Sequence, residues 1–111
     1  MEGSLEKGDV LIFQFPFTDF AETKKRPSLV VAKLKGDNVI LCQITSKTRP
    51  DPDEIKLEQK DFQSGGLRRE SFVHPSILFT IHKSRIDYKA GNLKQEKIKQ
   101  FEEKLVQIFT R

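Results

Sequence analysis

The amino-acid sequence predicts a mainly β fold, a small twisted sheet or barrel with one helix laid over it at the C-terminal end. Three observations carry this expectation. Short β-branched and aromatic runs recur from residue 9 to residue 81; glycine, proline and acidic residues punctuate them; and apolar residues take up helical spacing only beyond residue 92. With 111 residues the chain suits a single domain, taken as 1–111.

The first run, "DVLIFQFPF" (9–17), combines β-rich residues with partial alternation and predicts a strand reaching to Pro16. "TDFAETKK" (18–25) follows as a polar connection. "PSLVVAKL" (27–34) and "NVILCQIT" (38–45) predict two antiparallel strands, because "KGDN" between them has the length and composition of a hairpin turn. "SKTRPDPDE" (46–54) reads as a surface loop, and "IKLEQ" alternates as a half-exposed strand does. "SGG" (64–66) breaks the chain before "ESFVHPSILFTI" (70–81), where Pro75 requires a bend or an edge position. Leu93, Ile98, Phe101, Leu105, Ile108 and Phe109 then mark an amphipathic helix over 93–109, with Asn92 as its expected cap.

Hydrophobic residues make up 36% and charged residues 32% of the chain, a polar balance, but nine Phe with recurrent Val, Ile and Leu suffice for a core. The net charge of +4 suits a polyanionic partner and is equally compatible with a merely lysine-rich surface. Cys42, the single cysteine, excludes an intramolecular disulfide and is expected to be a packed, inert thiol. No apolar run approaches the ~20 residues of a membrane span, and the N-terminus lacks a signal-peptide pattern, so a cytoplasmic protein is expected.

Several chemistries are poorly supported. Two histidines and one cysteine without paired metal-ligand spacing argue against a zinc site, and no phosphate-cradling glycine loop is present. No cofactor is expected. Asp51, Asp53 and Glu54 offer carboxylates for a divalent cation, yet two prolines beside them favour a solvated loop. Cys42 lies in mid-strand, which argues against a thiol nucleophile partnered by His74 or His82. What remains is a set of cations and hydroxyls at strand ends: Lys24, Lys25, Arg26, Thr45, Ser46, Lys47, Arg49, Arg68, Arg69 and His74. Guanidinium groups grip phosphate with paired hydrogen bonds and hydroxyls reach its other oxygens, so this set suits nucleic acid.

The blocks "GDVLIFQFPFTDF", "KKRPSLVVA", "VILCQITS", "GGL" and "SFVHPSILFTIHKSRI" together resemble the MazF/PemK family of toxin endoribonucleases, in that family's order and over residues 8–87. The resemblance implies an SH3-like β-barrel, a homodimer, metal-independent cleavage of single-stranded RNA, and a cognate antitoxin that blocks the site. DNA would be contacted only by the toxin–antitoxin complex. It also assigns catalytic roles to Arg26 and to Thr45, and places His74 where some relatives carry the Arg of V-R-x-D. Ser76 stands at the Asp of that pattern, and Phe79 and His82 at the Arg and Asp of R-T-I-D. His74 reads equally as the acid or base, since imidazoles as a class titrate near neutrality, and as a plain packed or surface histidine.

Cleavage of this kind requires deprotonation of the 2′-hydroxyl, stabilisation of the phosphorane and protonation of the departing 5′-oxygen. Arg26 is expected to stabilise the phosphorane, with Thr45 and Ser46 bonding the phosphate. Lys24, Lys25, Lys47 and Arg49, in loops 18–25 and 46–54, are expected to follow the RNA backbone. Phe17 and Phe20 are candidates for base stacking. The competing expectation is a non-catalytic module of the same fold that binds nucleic acid or a protein target such as DNA gyrase.

Overall fold

The computed structural model describes residues 4–14 and 25–111. Among these residues seven strands and one α-helix follow in order, with short 3-10 turns at Gln59–Asp61 and Lys83–Arg85: β1 (Asp9–Gln14), β2 (Lys25–Lys33), β3 (Asn38–Thr45), β4 (Ile55–Leu57), β5 (Phe62–Gly65), β6 (Ser71–His82), β7 (Ile86–Leu93) and α1 (Gln95–Thr110). They form one antiparallel sheet in the order β4-β6-β3-β2-β1-β7-β5. The mainly β fold with a late helix is thus the one the sequence predicts. Lys24, Phe17, Phe20 and the end of the first predicted strand lie outside the described residues.

The apolar runs of β2 and β3 show little alternation because both sheet faces are covered. Val10, Leu29, Cys42 and Ile44 pack on one face with Ile98 and Phe101 of α1. Leu11, Phe13, Val30 and Leu41 pack on the other with Leu5 and Ile86, and the Phe13 and Phe79 rings meet with centroids 5.5 Å apart. Full burial of such side chains contributes roughly 1.5–3 kcal/mol each. Cys42 is wholly buried, and that burial pushes its thiol up to about 12, as an inert packed cysteine requires.

Pro75 produces the expected bend, realised as a bulge. Cys42 of β3 pairs with Leu78 of β6, but the next residue, Gln43, pairs with His74, so Pro75, Ser76 and Ile77 stand out of the ladder. This bulge lets one long strand serve β3 along its whole length and β4 at its beginning.

Three local expectations change. β2 begins at Lys25, not Pro27, because Lys25 and Arg26 pair with Gln14 and Phe13 of β1; Arg26 therefore sits inside a strand. "SGG" is not simply a break: Ser64 and Gly65 end β5 and pair with Asn92 and Gly91 of β7. Asn92 is accordingly a strand residue whose side chain accepts from the Ser64 hydroxyl at 2.6 Å, and Lys94 takes the N-cap position of α1. β7 is a strand that the polar run "IDYKAGNL" conceals, since its pairing with β1 and β5 decides it.

Gly8 joins these parts. Its φ of +93° suits glycine, its N–H donates to Val30 at 2.9 Å and its carbonyl accepts from Leu93 at 2.9 Å. A Cβ there would collide with Ile98 of α1.

Candidate active site

The β2–β3 ladder brings two predicted site residues together. The pairing of β2 with β3 reaches Ser28 opposite Gln43, and beyond that pair Arg26 of β2 and Thr45 of β3 line one cleft. This cleft is open, has a volume of about 770 Å³, and is lined also by Lys25 and Pro27 from β2 and Ile44 from β3. Ser46, Lys47, Thr48 and Arg49, which follow β3, and Leu67, Arg68, Arg69 and Ser71, which precede or begin β6, complete the lining.

Lys25, Arg26, Lys47, Arg49, Arg68 and Arg69 line this cleft, and among the described residues no Asp or Glu does. A concave surface of one sign concentrates counter-charge, so the cleft is built for an anion. Lys25 is partly committed elsewhere: its Nζ lies 2.8 Å from Asp87, and that hydrogen bond and charge raise its pKa. Arg68 and Arg69 extend the basic surface beyond the loops expected to hold RNA. Two adjacent arginines after a glycine pair were the available signal, but their convergence on Arg26 depends on long-range pairing.

Thr45 links the cleft to the interior. Its hydroxyl donates to the Lys47 carbonyl at 2.8 Å, and its Oγ1 lies 3.3 Å from His74 Nε2. His74 itself is wholly buried and has no place on the cleft wall. Its Nδ1 lies 2.8 Å from Asp51 Oδ2, and its Nε2 lies 3.6 Å from Glu54 Oε1.

The loop 46–54 therefore differs from the solvated acidic stretch that its composition suggested. Glu54 accepts from the Thr48 hydroxyl at 2.6 Å and from the Arg49 N–H at 3.0 Å, and these bonds with the nearby imidazole hold its pKa low. The hydrogen bond to His74, then the Asp53 N–H, hold Asp51 low. Asp53 turns the other way, toward Lys104 and Arg111 at the end of α1. A buried imidazole demands acceptors, and Asp51 and Glu54 supply them. The sequence conceals this pairing because 23 residues separate Asp51 from His74.

The other sites of departure from the resemblance lie apart from the cleft. Ser76 is exposed in the β6 bulge, Phe79 packs on Phe13, and His82 lies 2.8 Å from the Ser84 hydroxyl and 3.8 Å from Asp37.

The fold is a single antiparallel sheet carrying a basic cleft, a small β protein with a surface suited to an anion. Residues 6–109 match the family described as PemK-like, MazF-like toxin of type II toxin-antitoxin system, and the chain belongs to that family. Among solved structures, the Mycobacterium tuberculosis toxin MazF-mt6 is similar with a TM-score of 0.71 at 20% identity, covering 92% of this chain and 96% of that one. A mycobacterial endoribonuclease in complex with its cognate antitoxin gives 0.76 at 14% identity, covering 96% of each chain. A Deinococcus radiodurans MazE–MazF complex gives 0.75 at 18% identity, covering 98% of each. At these identities the likeness is one of fold. No match is found among curated proteins. Among the described residues, no helix is long and apolar enough to cross a membrane.

Proposed function

We propose that the protein is the toxin of a type II toxin–antitoxin system and acts as a metal-independent, sequence-selective endoribonuclease on single-stranded RNA, inhibiting translation and growth. The observation that carries this reading is the basic cleft, free of carboxylates among the described residues and lined by both Arg26 and Thr45. A single-stranded polyanion threads such a cleft, its phosphates meeting Lys47, Arg49, Arg68 and Arg69 along the walls.

Arg26 acts on the scissile phosphate. Its fork of donors matches two phosphate oxygens and strengthens its hold as charge accumulates in the phosphorane, so it lowers the barrier rather than merely binding RNA. Thr45 and Ser46 hydrogen-bond the remaining oxygens. The nucleophile is the RNA's own 2′-hydroxyl, which yields a 2′,3′-cyclic phosphate and a 5′-hydroxyl. His74, being buried, reaches the substrate only through Thr45.

The functional unit is a homodimer, and a cognate antitoxin silences it by covering the same cleft, with DNA engaged only by that complex. Two structures of similar fold are complexes with an antitoxin, which supports the antitoxin partner. The test is incubation of the purified protein with mixed-sequence single-stranded RNA in EDTA. Discrete fragments support the enzyme; tight binding without cleavage would replace it with a non-catalytic nucleic-acid module, and indifference to RNA would remove both.

A further inference from the structure

We propose that His74, held by Asp51, feeds a proton through the Thr45 hydroxyl to the departing 5′-oxygen of the substrate. This rests on the ribonuclease reading above and supplies what that reading lacks, a proton source for the leaving group.

A carboxylate can only accept, so the 2.8 Å contact between His74 Nδ1 and Asp51 places a hydrogen on Nδ1. Thr45 has one hydroxyl hydrogen, and the Lys47 carbonyl, also an obligate acceptor, takes it at 2.8 Å. In the proposed relay Thr45 Oγ1, 3.3 Å from Nε2, accepts from a hydrogen on that nitrogen. In this pattern both ring nitrogens donate. The ring is wholly enclosed, and two carboxylates face it: Asp51 on one side and Glu54, 3.6 Å from Nε2, on the other.

Thr45 is the one link in this relay that also lines the cleft. When a phosphate enters, the Thr45 hydrogen can turn from the Lys47 carbonyl to the substrate, because Nε2–H already satisfies the oxygen from behind. As the bond between phosphorus and the 5′-oxygen breaks, its electron pair stays on that oxygen and takes the Thr45 proton. The Nε2 proton moves to Thr45 Oγ1 in the same step. His74 is left neutral with its remaining hydrogen still on Nδ1, facing Asp51, and water in the open cleft returns a proton through Thr45. The proton released earlier by the 2′-hydroxyl passes to water. Asp51 is a positioning residue here: it fixes which nitrogen faces Thr45 and stabilises the charged ring.

The test uses two RNA substrates that differ at one atom, an ordinary phosphodiester and one whose bridging 5′-oxygen is sulfur, since a thiolate leaves without needing a proton. On the ordinary substrate His74→Gln should slow single-turnover cleavage by about 10²–10⁴-fold, while on the sulfur substrate it should stay within about threefold of wild type. Asp51→Asn should show the same selectivity with a smaller loss on oxygen, and it keeps the test available should His74→Gln fail to fold. Equal losses on both substrates would overturn the proposal and leave His74 an architectural residue. A wild-type protein that binds RNA but cuts neither substrate would overturn the ribonuclease reading as well, so the two failures are distinguishable.

Discussion

Thr45 Oγ1 and His74 Nε2 meet at 3.3 Å, the threonine lining a basic cleft and the histidine wholly enclosed behind it. This contact couples an open surface to a buried cluster of acidic groups, and past the β6 bulge it is Gln43 that stands opposite His74. Thr45 then lies diagonally beside the imidazole instead of directly across from it.

Arg26 is the residue on which catalysis should depend most. Arg26→Ala should lower the single-turnover cleavage rate by about 10²–10³-fold, the scale on which loss of one transition-state donor is felt. Arg26→Lys should recover only part of it, because an ammonium keeps the charge but not the paired donors. Saturating RNA in both assays separates this from weaker binding.

Arg68 and Arg69 should act on affinity instead. Replacing both with alanine should weaken RNA binding and flatten its salt dependence by about 1.4 in the slope of log affinity against log salt, since each single-strand phosphate left without its cation removes about 0.7. Fluorescence anisotropy across a salt series reads this. Cleavage at saturating RNA should change little.

The carboxylates around His74 should make the fold acid-sensitive. Asp51 and Glu54 both have depressed pKa values in the folded protein, so their contribution is complete above the unfolded carboxylate pKa of about 4 and is lost as pH falls through the lower folded values. Thermal melts should show Tm falling below about pH 4, with a shallower fall in Asp51→Asn.

Gly8→Ala should destabilise the fold by about 1–3 kcal/mol, since it forces an alanine to a φ of +93° and drives its Cβ into Ile98. Urea unfolding measures the difference. The cleft residues lie elsewhere, so cleavage at low temperature should persist.

What the sequence revealed follows from the range of the interactions involved. β2, β3 and their turn were legible because hairpin pairing is local, and the same hairpin brings Arg26 and Thr45 to one cleft. α1 was legible because its apolar spacing faces a single core. β7 was hidden because only Ile86, Gly91 and Leu93 in it are buried, too few for a periodic signal, and its place between β1 and β5 is fixed by distant partners. The role of Asp51 and Glu54 was hidden for a related reason. Beside two prolines they look like solvated loop residues, and only the β3–β6 ladder brings His74 to them.

If the cleft is a ribonuclease site organised by Arg26, the most direct measurement is the chemistry of the cut ends. Single-stranded RNA is incubated in EDTA with wild type and with Arg26→Ala, and both sides of every cut are mapped. Wild type should give discrete cuts bearing a 2′,3′-cyclic phosphate and a 5′-hydroxyl, and the variant should leave RNA bound but intact. Cuts ending in 5′-phosphate, or equal cleavage by the variant, would contradict the central claim.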